Sequence, residues 1–158
     1  MKNLSKRLKI KTVNEGWPLV EKFVDEICEN YHITNRYYGN IILVIEEAVR
    51  NAMIHGNRND PAKYVTISFV RKPAGLSFNV KDEGPGFNIN EIPNPLESEK
   101  KSGNGIFLIR SLADKVKYNA AGNEVEILFN ISSINQETTI SRTAYVNKYF
   151  EKYKTHAK

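Results

Sequence analysis

Along residues 39–56 the apolar positions Ile41, Ile42, Val44, Ile45, Ala48, Val49, Ala52 and Met53 recur at helical spacing. One face of that helix must be buried, and Gly56 stands where a left-handed residue would cap it. Ahead of it, Trp17-Pro18 opens a second helical pattern to residue 31, with Leu19, Val20, Phe23, Val24 and Ile27 as its apolar stripe. Leu8, Ile10 and Thr12 alternate well enough to predict a strand over 5–13. Strands over 64–71 and 76–81 flank Lys72-Pro73-Ala74-Gly75, a hairpin turn by composition. A helix at 106–114 and strands at 116–119 and 125–131, around Ala121-Gly122-Asn123, complete the regular part. Residues 57–61 and 83–104 are rich in Gly, Pro, Asn, Ser and charge, and the second stretch has the length of a functional lid. In the tail, 132–158, Tyr145, Val146, Tyr149, Phe150 and Tyr153 repeat at helical spacing, so one amphipathic helix fits there. Whether it packs on its own domain or on a partner is not written in its spacing.

This order of strands and helices predicts a single α+β domain over 1–131 followed by the tail. At 158 residues, 41% apolar and 26% charged, the composition is that of an ordinary globular protein. No stretch reaches 18 consecutive apolar residues, and the basic opening is followed by no apolar run, so neither a membrane span nor a secretory signal is expected. The single Cys28 allows no internal disulfide and lies on an apolar helical face, as an inert core thiol would. Cys28 and His32 share i, i+4 spacing, but no second pair completes a zinc site. The net charge of +5 is spread along the chain without a basic block or a nucleic-acid motif. It reads better as a solvated basic surface that could meet an acidic protein.

Three stretches carry candidate chemistry. Glu47 and Asn51 project one turn apart from a stripe beside the buried one, with Leu43 and His55. Asn51 offers an uncharged oxygen suited to Mg²⁺, and Glu47 a carboxylate able to act as a base. The alternative is the exposed polar edge of an amphipathic helix. In Asp82-Glu83-Gly84-Pro85-Gly86 a strand ends in an acid that can accept from an exocyclic amine such as that of adenine, and two glycines let the backbone lie close to a flat ligand. A plain acidic turn has the same composition. In Ser102-Gly103-Asn104-Gly105 the glycines precede a helix, whose N-terminal N–H groups bind phosphate oxygens, with Lys100 and Lys101 adding charge. A linker meeting a helix would read alike, and neither the P-loop nor the Rossmann fingerprint fits.

Taken together, Glu47-x-x-x-Asn51, Asp82-x-Gly84-x-Gly86 and Gly103-x-Gly105, in that order with a lid between the last two, resemble the nucleotide-binding boxes of the histidine-kinase-like (GHKL) ATPase superfamily. The phrases Glu46-Glu47-Ala48-Val49-Arg50-Asn51-Ala52, Ile54-His55-Gly56 and Gly103-Asn104-Gly105-Ile106-Phe107 are most similar to those of bacterial anti-sigma-factor serine/threonine protein kinases. The resemblance spans about residues 5–131. It implies a Bergerat-type two-layer α/β sandwich, with helices on one face of a mixed, mostly antiparallel sheet. It further implies ATP and Mg²⁺ as cofactors, with Asn51 on the cation, Glu47 as catalytic base and Asp82 on the adenine amine. Gly84 and Gly86 would line the base pocket, and Gly103, Asn104, Gly105 and Lys101 would meet the phosphates.

The partners it implies are an anti-sigma-factor antagonist protein, phosphorylated on Ser or Thr, and a sigma factor bound in competition. A homodimer in the cytoplasm is expected, with no direct nucleic-acid or membrane contact. A nucleotide-sensing regulator that sequesters its partner without turnover, and a detached histidine-kinase catalytic module, are the alternatives. The chain departs from the family where Gly122 is followed by Asn123 and Glu124 instead of Thr, and the tail after Ile131 matches no family motif.

Overall fold

The computed structural model describes residues 4–88, 104–130 and 136–154. Five strands form one open sheet in the order β1-β2-β3-β5-β4: β1 (Ser5–Lys11), β2 (Tyr64–Lys72), β3 (Gly75–Lys81), β4 (Lys115–Tyr118) and β5 (Glu124–Asn130). Every described pairing is antiparallel, with Lys72 opposite Gly75 at the predicted hairpin. Alternation decides which side is core. Val65, Ile67, Phe69, Leu76, Phe78, Val80, Val125, Ile127 and Phe129 point one way and are buried under the helices. Phe78 sits between Phe69 and Phe129, with ring centroids 5.3 and 6.0 Å away, in tilted and edge-on arrangements that add about 0.5–1.5 kcal/mol per pair to simple burial.

Helix α1 (Trp17–Asn30) starts with Pro18 in its first turn, where the missing N–H costs nothing, and buries Val20, Phe23, Val24, Ile27 and Cys28. It stops at a left-handed residue, His32 (φ 53°). The His32 N–H donates to Glu29 O (3.1 Å) and the Ile33 N–H to Cys28 O (3.0 Å), the pair of bonds that satisfies the last carbonyls of a helix. Burial, and then the Asp25 carboxylate, pushes the Cys28 thiol up to about 12, so it stays protonated and unreactive.

Helix α2 (Asn35–Asn51) is the central one and presses Tyr37, Ile41, Val44, Ile45, Ala48 and Val49 into the core. Its last turn differs from the expectation of a helix capped by a left-handed Gly56. Residues Ala52–Gly56 form a π-turn, and the left-handed residues are Arg58 and Asn59 instead (φ 52° and 57°). The apolar pattern stops at Met53, only two residues into the π-turn, so periodicity could not mark the change. Gly56 is small for another reason, given below.

Helix α3 (Asn104–Leu112) lies against α2 and buries Ile106, Leu108, Ile109 and Leu112. The tail does form a helix, α4 (Gln136–Lys154), and it docks on α3. Phe107 of α3 meets the rings of Tyr145 and Tyr149 at 5.7 and 4.7 Å. Arg142 donates to Asp114 Oδ1 (2.8 Å), while Asp114 Oδ2 accepts from the Asn130 N–H (2.7 Å) and the Tyr37 hydroxyl (3.1 Å). One carboxylate thereby ties α2, β5 and α4 together at the end of α3. Among the described residues no helix is long and apolar enough to cross a membrane.

Candidate functional site

Between α2, α3 and the ends of β3 and β5 lies a cleft of about 360 Å³, counted out to its open mouth. Ala48, Asn51 and Ala52 come from α2 and its π-turn, Ile106 and Ile109 from α3, Val80 and Asp82 from the end of β3, and Tyr118, Gly122, Asn123 and Val125 from the β4–β5 hairpin. Its walls are mostly apolar with a few polar groups at the ends, the usual make-up of a small-molecule site. Burial also raises the Tyr118 hydroxyl to about 12, so this wall stays neutral.

Asp82 forms the floor and is only 7% exposed. Burial raises its carboxyl above the ordinary value, opposed by the Gly84 N–H, which donates to Oδ1 at 2.7 Å, and by Lys63. The fold makes room for this carboxylate by withholding a side chain from Gly56, where a Cβ would lie 2.2 Å from the Asp82 carboxyl carbon. Gly84 is under the same pressure, since its Cβ would stand 1.9 Å from the Gly56 carbonyl oxygen. Gly84 and Gly86 let the turn after β3 close against the π-turn and, for Gly86, against the Ala121 carbonyl.

Two asparagines that carried no motif hold this floor. Asn57 is fully buried. Its Nδ2 donates to Thr12 Oγ1 (2.9 Å) and Tyr64 O (3.0 Å), and its Oδ1 accepts from the Glu83 N–H (2.8 Å). On the far side the Asp82 N–H donates to Asn123 O (3.0 Å), and Asn123 Nδ2 reaches Gly84 O (3.4 Å). Asn119 Oδ1 in turn accepts from the N–H groups of Gly122, Asn123 and Glu124 (2.8, 3.0 and 3.2 Å), which fixes the β4–β5 turn. Asn123 thus occupies the side of the cleft where the family pattern would have supplied a threonine. Its only signal in the sequence was its place after Gly122.

At the other end, Glu47 and Asn51 face the first turn of α3. A Cβ on Gly105 would be 2.8–3.0 Å from the Asn51 carboxamide and 3.0 Å from Glu47 Oε2. The helix end, the carboxylate and the carboxamide thus meet at one point. Arg50, one turn on, pairs with Glu47 Oε1, and its guanidinium lies 5.6 Å from the centre of the Trp17 ring. The two side chains are 44% and 21% exposed, so this pair orients more than it stabilises. Arg50 was not singled out from the sequence, although its i, i+3 spacing from Glu47 could have pointed to it.

Of the other predicted site residues, Asn104 opens α3, while Lys101 and Gly103 lie outside the described residues, as do residues 89–103 of the predicted lid stretch 83–104. Among the described residues no cluster of three His, Cys, Asp or Glu side chains could hold a metal on its own.

The sequence profile of the histidine kinase-like ATPase domain matches residues 12–129, the stretch that holds β2 to β5, the helices α1 to α3 and the cleft. The chain is 35% identical over 116 residues to the anti-sigma F factor of Geobacillus sp. (strain WCH70), covering 70% of this chain and 68% of the relative. It is 36% identical over 116 residues, with the same coverage, to the anti-sigma F factor of Geobacillus thermodenitrificans (strain NG80-2). Against that of Bacillus cytotoxicus it is 36% identical over 109 residues, 66% of each chain. With a five-stranded antiparallel sheet, helices on one face and an apolar cleft floored by Asp82, the chain belongs to the histidine kinase-like ATPase family.

Proposed function

We propose that this protein is an ATP-dependent serine/threonine protein kinase that acts as an anti-sigma factor in a partner-switching system. The observation that carries the reading is the meeting of Glu47, Asn51 and Gly105 at the mouth of a cleft whose floor is Asp82. An ATPase domain has ATP as its ligand. In this reading Asp82 accepts from the adenine amine, and the first turn of α3, from Asn104 and Gly105, receives the phosphates with Gly103 and Lys101 of the adjoining lid. Gly84 and Gly86 shape the base pocket from behind.

The donor set fits Mg²⁺, which keeps several waters and takes one or two protein oxygens together with substrate phosphates. Asn51 lines the cleft beside the phosphate end and supplies such an oxygen. The cation neutralises phosphate charge, and the protein's own residues position the reactants. Glu47 Oε2 faces the space in front of Gly105, where it takes the proton of an attacking hydroxyl, while Arg50 holds Oε1 and stops the carboxylate from rotating away. The acceptor is a Ser or Thr of a small antagonist protein, and a sigma factor competes for the same chain, which acts as a cytoplasmic homodimer. Residues 1–131 carry the nucleotide chemistry, and helix α4 of the tail braces α3.

The test is incubation with MgATP and a candidate anti-sigma-factor antagonist protein. Phosphoserine or phosphothreonine on that partner, absent with Glu47→Ala, is the expected result. Binding of ATP with no transfer would leave a sequestering regulator. For the cation, Asn51→Ala should remove the Mg²⁺ dependence of ATP binding, and a dependence equal to the unsubstituted protein would remove Asn51 from that role.

A further inference from the structure

The two faces of the sheet are chemically opposite. The register turns Arg7, Lys9 and Lys11 of β1, Lys72 of β2, Lys81 of β3, and Lys115 and Lys117 of β4 away from the helices, and all are exposed. Only Glu124 and Glu126 answer them from the strands, and Glu126 is already taken by Lys72 and the Ser77 hydroxyl. Arg7, Lys11, Lys81, Lys115 and Lys117 have no ion-pair partner among the described residues. We propose that this open face is the docking surface for an acidic protein partner, distinct from the nucleotide cleft on the opposite side of the sheet.

Two features support a built surface over scattered solvated charge. First, one rank of side chains runs straight across the sheet, Arg7, Ser68, Asn79, Glu126 and Lys117, each opposite the next in the strand register. Its ends are cationic, Ser68 and Asn79 at its centre are short and polar, and its one acid, Glu126, is already held by Lys72. Second, Lys72, Lys115, Lys117, Glu126 and Leu128 enclose a depression of about 480 Å³, counted to its mouth, where the two ammonium groups of Lys115 and Lys117 are left for an incoming carboxylate.

Charge also decides between occupants. A second copy would set cation against cation across the interface. A phosphate backbone laid across the face would pass over Glu124 and Glu126, and an acidic protein can place its carboxylates around them. The proposal is independent of the kinase reading, since none of the face's cations lines the cleft.

The test uses the full chain and a fluorescein-labelled oligoglutamate, followed by anisotropy at low salt. The triple variant Arg7→Gln, Lys115→Gln, Lys117→Gln should weaken binding about tenfold, and the helix-side control Lys22→Gln, Arg36→Gln, Lys148→Gln less than about twofold. Asn79→Asp, which puts a carboxylate into the rank, should weaken binding as well. MgATP affinity, unchanged in all three variants, shows that they are folded. Equal weakening by face and control triples, or none by the face triple, would overturn the proposal. So would tighter face-dependent binding of duplex DNA of the same charge, or a dimer that the face triple converts to monomer in sedimentation.

Discussion

The cleft has two ends built by different means. At the Asp82 end almost every polar atom already has a partner within the protein. The carboxylate is nearly buried, Gly84 donates to it, and Asn57 and Asn123 tie its turn to three other segments. At the Glu47 end the groups are part-exposed and the pairing is local, one arginine on the same helix. A rigid end suits reading a flat base, where one misplaced hydrogen bond changes selectivity. A more open end suits phosphates, a cation and a partner's hydroxyl, which arrive together and complete the electrostatics themselves.

The largest expected effect is at the open end. Glu47→Ala should lower phosphoryl transfer by about 100- to 10 000-fold, the range for a positioned general base, while ATP affinity measured by calorimetry stays as it was. A parallel loss of affinity would mean that the carboxylate binds and does not act as base. Next comes the rigid end. Gly84→Ala drives a methyl group into the Gly56 carbonyl, and overpacking of this kind costs about 1–3 kcal/mol, read as a lower Tm together with weaker ATP binding. An unchanged Tm would show that the turn has slack and that the contrast between the ends is overstated.

Asp82→Asn should separate function from stability. Burial raises the Asp82 carboxyl above 3.8, its value in an exposed chain, so its contribution favours the fold below that pH and is lost as pH rises through the raised value. At neutral pH the ionised group therefore works against the fold. The variant should have a higher Tm than the unsubstituted protein at pH 7, with the gap closing on acidification. Its preference for ATP over GTP should fall about tenfold, the size of one lost hydrogen bond to a charged group. Equal selectivity would place base recognition elsewhere. The smallest effect is that of Arg50→Ala. An exposed i, i+3 pair is worth less than about 1 kcal/mol, so the Tm should scarcely move and transfer should fall only severalfold. A loss as deep as that of Glu47→Ala would make Arg50 part of the chemistry instead of a positioning group.

The elements themselves were legible because each one writes its period locally. The central helix, both hairpins and the helix after the lid stretch lie within a few residues of where apolar spacing and turn residues put them. What was not legible depends on residues far apart in the chain. Gly56 reads as a helix cap from its neighbours, yet its smallness answers to Asp82, which only the folded sheet brings beside it. Asn57 looks like loop by composition and is the most enclosed polar side chain of the Asp82 end. Asn123 has no motif, and the partner of Arg142, Asp114, lies across a helix packing that tail periodicity does not specify. The pairing of Glu47 and Asn51 on one stripe was readable from spacing alone, whereas their nearness to Gly105 needed the packing of α3 on α2.

The most direct test follows backbone amide signals by NMR while MgATP is added to the isotopically labelled protein. Asn51, Gly84 and Gly105 sit on three segments distant along the chain, and their amides should shift together along one saturation curve with one Kd. Shifts confined to a single segment, or curves with different midpoints, would contradict a shared nucleotide site.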